Sequence, residues 1–135
     1  MTSALHHMSE PHRLGLLGLS ARTLVGVEQG VTWSTLEDVW FQPAARVPLH
    51  LHTYNEVGVA QEGTLEFQVG DATLTVKPGD VVVIPAGTPH KVHNSTDDVA
   101  HHIALASARS DELPAHTQLL DDRSAPRPPA GDTNL

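Results

Sequence analysis

The chain has 135 residues, enough to enclose one core or one small barrel but not two. It contains no cysteine, which excludes disulfides, thiolate metal sites and cysteine nucleophiles and leaves nitrogen and oxygen as metal donors. Its formal charge of -8 is not offset by any basic run, so neither nucleic acid nor an anionic membrane is an expected partner.

Residues 1–22 form a polar N-terminal segment, expected to be partly flexible. It holds His6, His7 and His12 and has room for at most a short helical turn near Ser9 to Leu17. The run "LGLLGL" from Leu14 to Leu19 is too short to cross a bilayer. Glu10 before it and the lack of a small-residue cleavage site after it make a poor secretion signal, so a cytoplasmic location is expected.

From Thr23 onward the pattern is that of short strands. "TLVGVEQG", "VTWSTLEDVWF", "EVGVAQEGTLEFQVGD", "ATLTVKPGD", "VVVIPAG" and "VAHHIALASA" are rich in Val, Ile, Leu and Thr, with Gly, Pro, Asn or Asp between most of them. "VGDA" at Val69 to Ala72 reads as a tight hairpin and "KPGD" at Lys77 to Asp80 as a type II turn. No window sustains helical periodicity. The expectation is an all-β sandwich, barrel or jelly roll spanning 23–109. Residues 110–135, with "APRPPAG" and few bulky apolar residues, read as a poorly ordered tail.

Ten histidines outnumber Lys and Arg combined, and two of them sit in "PLHLHTYNE", Pro48 to Glu56. Alternation along a strand projects His50 and His52 to one side and Leu49 and Leu51 to the other. The turn-prone "TYN" can return the carboxylate of Glu56 toward the same point. Downstream, a buried strand and a turn built on Pro85 and Gly87 deliver His90 as a fourth ligand. Three neutral imidazoles and one carboxylate suit one divalent transition ion (Fe, Mn, Ni, Cu, Co or Zn) better than Ca or Mg.

With these residues in place the chain resembles the cupins, in particular the small single-domain members. Their first motif, G-x5-H-x-H-x3,4-E-x6-G, is matched at 44–63 by His50, His52, Glu56 and Gly63, with Ala44 in place of the leading glycine. The second, G-x5-P-x-G-x2-H-x3-N, is matched at 79–94 by Gly79, Pro85, Gly87, His90 and Asn94. The resemblance implies a six-to-eight-stranded jelly-roll barrel with a metal inside, held by His50, His52, Glu56 and His90. The departure at Ala44 bears only on a local turn.

Other residues have a plain reading beside a functional one. His93 shares parity with Lys91 and should point outward. One of the adjacent His101 and His102 must face the interior: the apolar neighbours Val99, Ile103 and Leu105 favour His101, whereas the small-residue face of His102 offers more room. Either is a candidate base or substrate contact. Gly58 and Ala60 either relieve crowding or leave a cavity above the ion. Tyr54 is a candidate pocket-rim contact, the other aromatics being expected in the core or at a dimer interface. Arg46 can meet a substrate carboxylate, or simply form a surface ion pair.

A four-ligand site leaves coordination positions open, which is a setting for catalysis. The expected function is a metal-dependent enzyme on a small organic substrate, most simply a dioxygenase-type or polyketide cyclase or lyase-type reaction, with a decarboxylase also among the family's chemistries. Glu56 is a possible base in it. The alternatives are a non-catalytic binding or sensing module and a storage barrel. Val57 and Val59 face away from the site with Leu49 and Leu51, which predicts a homodimer covering that apolar surface.

Overall fold

The computed structural model describes residues 4–14 and 17–120. Its eleven strands are β1 (His12–Arg13), β2 (Leu19–Val25), β3 (Thr35–Phe41), β4 (Arg46–His52), β5 (Glu56–Glu62), β6 (Leu65–Val69), β7 (Ala72–Val76), β8 (Val81–Ile84), β9 (His90–His93), β10 (Ala100–Ala106) and β11 (Thr117–Leu119). They form a six-stranded sheet, β1-β2-β3-β10-β5-β8, and a five-stranded sheet, β11-β4-β9-β6-β7. Every pairing is antiparallel. This is a jelly roll, with the two inner faces enclosing Leu19, Phe41, Leu65, Phe67, Val82 and Val92. Among the described residues, no helix is long and apolar enough to cross a membrane.

Turns fall where the backbone demands them. Lys77 to Asp80 closes with the Asp80 N–H donating to the Lys77 carbonyl over 2.9 Å, and Gly79 sits at φ 94°, as a type II turn requires. β6 and β7 join through the two residues between Val69 and Ala72. Gly63 splits "EVGVAQEGTLEFQVGD" into β5 and β6. It has φ 72°, and a Cβ there would lie 2.7 Å from the Ala100 Cα, so a side chain is excluded twice over.

Three expectations change. The helical turn near Ser9 to Leu17 is absent among the described residues; His12 and Arg13 instead pair with Ala21 and Ser20 as a strand. "TLVGVEQG" is extended only to Val25, because Val27–Gln29 forms a 3-10 turn closed by Gly30 at φ 82°. The paired strands also overrun the expected limits of 23 and 109. β2 begins at Leu19, and β11 returns to lie along β4, with Thr117 opposite His52 and Leu119 opposite His50. The short apolar and threonine-bearing stretch of β11 supplies that edge pairing. The remainder of the proline-rich tail, 121–135, lies outside the described residues.

Candidate metal centre

β4 carries His50 and His52 on the strand that faces β9. Arg46 and Val47 oppose His93 and Val92, but the next pair is His50 with His90, so the register slips between Val47 and His50. Pro48 occupies this bulge, where its missing N–H disrupts no ladder. The slip lets Val47 pack against the core while His50, three residues on, also points inward. Arg46 is thereby turned outward and exposed, away from the histidines.

The three imidazoles converge. The His50 and His52 Nε2 atoms are 3.1 Å apart, and one ring nitrogen from each of His50, His52 and His90 lies within 4.8 Å of the others. Their outer nitrogens are tied off. His50 Nδ1–H donates to the Pro48 carbonyl over 2.8 Å, and His90 Nδ1–H to the Thr88 carbonyl over 2.9 Å. A carbonyl only accepts, so each proton sits on Nδ1. His52 Nδ1 meets the Thr117 hydroxyl at 2.8 Å. That hydroxyl already donates to the Leu113 carbonyl, also over 2.8 Å, so it accepts from His52. All three Nε2 lone pairs therefore face one point, an arrangement that repels itself unless a cation lies among them.

Glu56, first residue of β5, completes the ring. Its Oε2 is 3.3 Å from His52 Nε2 and 3.4 Å from His90 Nε2, nitrogens that have no proton to give when their Nδ1 atoms are protonated. Oε2 is buried and without a hydrogen-bond partner. Burial by itself raises this carboxyl, but its side-chain contacts with His52 and His90 outweigh that and hold Glu56 down at about 2. Burial first, and then the neighbouring His90, lower His50 to about 4 against the opposing hydrogen bond to Pro48, so it is a neutral donor at pH 7. An ionised carboxylate and inward lone pairs fit a divalent ion.

The second motif holds the frame. Gly87 N–H donates to the His52 carbonyl over 2.7 Å, and Ala86 N–H to the Asn55 Oδ1 over 2.9 Å, locking the His90 turn to the "HTYNE" turn. Asn94 is fully buried; its amide donates to the carbonyls of Phe41, Gln42 and Asp98. Ala44 N–H donates to the Asn94 carbonyl over 3.0 Å. Ala44 takes φ 68°, the one non-glycine residue at positive φ among the described residues. The family's glycine position thus keeps its glycine geometry without a glycine.

Opposite the cluster, the other sheet decides between the adjacent histidines. His102 faces inward, only 2% exposed, packed between Phe41 and Phe67. His101 faces outward, stacked on Trp40 and bonded through Nε2 to Asp38 over 2.7 Å. The roomy face is the interior one. His102 pairs with Ala60, and its Nδ1 lies 3.5 Å from where a Gly58 Cβ would be, so Gly58 and Ala60 adjoin it. Burial first, then His101, lower His102 to about 4. Its Nε2 is buried with no partner. Tyr54 stacks on His52 at 4.4 Å, and burial pushes its hydroxyl up to about 12.

Sequence reasoning missed Thr117, the residue that orients His52. Its position 65 residues beyond His52 leaves no local signal.

A family model for the cupin domain matches residues 38–105. No curated protein matches the chain in sequence. Among solved structures, the polyketide cyclase RemF from Streptomyces resistomycificus superposes with a TM-score of 0.69 at 21% identity, over 82% of each chain. A cupin-like protein from Thermotoga maritima gives a TM-score of 0.63 at 29% identity, over 76% of this chain and 75% of that one. A variant of the oxalate decarboxylase OxdC from Bacillus subtilis gives 0.71 at 21% identity, over 87% of this chain and 33% of that one. With the matched segment running from β3 through both histidine motifs to β10, the chain belongs to the cupin family.

Proposed function

We propose that the protein is a metal-dependent enzyme acting on a small organic molecule bound between the His50, His52, His90 and Glu56 cluster and the inner face bearing His102. The observation that carries this reading is the tautomer pattern: each Nδ1–H is committed outward, leaving three lone pairs and a buried carboxylate oxygen directed at one point. A divalent ion of Fe, Mn, Ni, Cu, Co or Zn held there would polarise a substrate oxygen as a Lewis acid, with dioxygen chemistry open to Fe, Cu or Ni.

Between the two reaction types expected, a proton-transfer reaction of the cyclase or lyase type has the better support from this chain's residues. His102 is neutral at pH 7 and has a ring nitrogen with no protein partner, so it can take a proton from a carbon next to a polarised carbonyl. The resemblance in fold to a polyketide cyclase is in keeping with that chemistry. Tyr54, neutral and stacked on His52, lies at the rim. We further propose a cytoplasmic enzyme, in keeping with the absence of cysteine.

Metal analysis of untagged protein should find about one transition ion per chain, and the triple variant His50→Ala, His52→Ala, His90→Ala should hold none. Full metal content in that variant would overturn the site. Metallated protein should then convert a polyketide-like phenol or 1,3-diketone without oxygen uptake; obligatory oxygen consumption would favour the dioxygenase reading.

A homodimer is also proposed. Val81 and Val83 are 57% and 62% exposed on edge strand β8 and sit beside Val59 and Val57, while Leu105 is 40% exposed on β10. A second copy would cover this apolar strip. Sedimentation should show a dimer that Val83→Lys dissociates; a wild-type monomer would contradict it.

A further inference from the structure

The inner face of β3 carries one group that neither the core nor the histidine cluster uses. Val39 packs against the core and Phe41 belongs to it, so strand alternation sends Glu37 to the same side. Burial first, and then the charge of Glu56, push the Glu37 carboxyl up, while His12 draws it down.

Ala104 lies between the two carboxyls. It pairs with Glu37 on one side and with Gly58 on the other, and Glu56 is two residues along from Gly58. Two strand spacings and one dipeptide step separate the Glu37 and Glu56 backbones by roughly 12 Å. Nothing larger than a methyl group stands between them on that face. His102 follows two residues along β10, almost fully buried, with its Nδ1 toward Gly58 and its Nε2 unpartnered. Glu37 and His102 thus border one floor of Ala104 and Gly58.

We propose that Glu37 is a second oxygen-binding group on this inner face, accepting a hydrogen bond from a substrate hydroxyl while another oxygen of the same molecule sits at the histidine cluster. The substrate class is then a neutral, ring-sized enol or phenol with two oxygens. Carboxylates are disfavoured, because Glu37 and Glu56 face the same space and like charges repel there. The inference rests on the histidine cluster holding a metal, and its test separates the two.

Cobalt(II)-loaded protein is titrated under nitrogen with catechol and, separately, with oxalate, following the visible cobalt bands. Wild type should bind catechol in preference to oxalate. Glu37→Leu should weaken catechol roughly tenfold or more with cobalt stoichiometry unchanged, as expected for a lost hydrogen bond to a charged group. Glu37→Gln keeps the shape and loses the charge, so catechol should weaken while oxalate tightens. Ala104→Leu should block catechol and still hold cobalt. Cobalt uptake with catechol affinity unmoved by the Glu37 substitutions, or both probes shifting together in Glu37→Gln, overturns the role of Glu37 alone. Failure of wild type to take up cobalt overturns the metal reading and this inference with it.

Discussion

His101 and His102 are consecutive on β10 and live in opposite worlds. On the outer face His101 is fully engaged: it bonds Asp38, which also receives Arg22 Nε over 2.8 Å, and Arg22 in turn lies over Trp40. Asp38 is held below its usual range, since Arg22 and His101 outweigh the burial that would raise it. On the inner face the polar groups are left open. His102 Nε2 and Glu56 Oε2 are buried without partners. A folded protein rarely leaves buried polar atoms unmatched. The outer network is satisfied within the fold, and the inner one is left open.

The largest expected effect separates these faces by metal content. His90→Ala should abolish metal retention, whereas His101→Ala should leave it intact, as metal analysis of both proteins checks. Loss of metal in His101→Ala would erase the distinction.

Acid stability should separate them next. The folded pKa of His102, about 4, lies below its ordinary 6.5, so the unfolded chain takes up the proton first. Its contribution is therefore present above pH 6.5 and is lost as pH falls toward 4. Between pH 7.5 and 5 this amounts to about 2 kcal/mol. Urea unfolding at the two pH values should show that part of the loss disappear in His102→Leu and persist in His101→Leu.

Arg22→Ala should cost about 2 kcal/mol by leaving the buried Asp38 with His101 alone. Chemical denaturation should show that cost while the metal content stays unchanged.

What was readable in the sequence follows the same division. His50, His52 and Glu56 lie within seven residues, and His90 follows a Pro and Gly turn, so local alternation and turn chemistry sufficed to bring them to one place. The facing of His101 and His102 was not readable, because both faces of β10 are apolar: Ile103 and Leu105 mark an outer strip rather than the core, while the inner face is lined with alanine. Thr117 and β11 were hidden for another reason. Their role exists only through pairing with β4, a register set by the whole fold, and the polar, proline-rich composition around them reads as tail.

Two smaller effects test the supports of the cluster. Thr117→Val removes the acceptor that fixes His52 and should weaken metal binding by about tenfold, read by competition with a chelator. Ala44→Gly should raise stability by about 1 kcal/mol, because the left-handed backbone at φ 68° suits glycine and strains alanine. A neutral result in thermal unfolding would mean that the turn relaxes around its alanine.

In the proposed centre, three inward Nε2 atoms and one carboxylate hold a single ion. X-ray absorption at the edge of the metal bound to the purified protein reads that shell directly. Three imidazole nitrogens with the remaining donors oxygen are predicted; a shell with fewer than three imidazoles would contradict it.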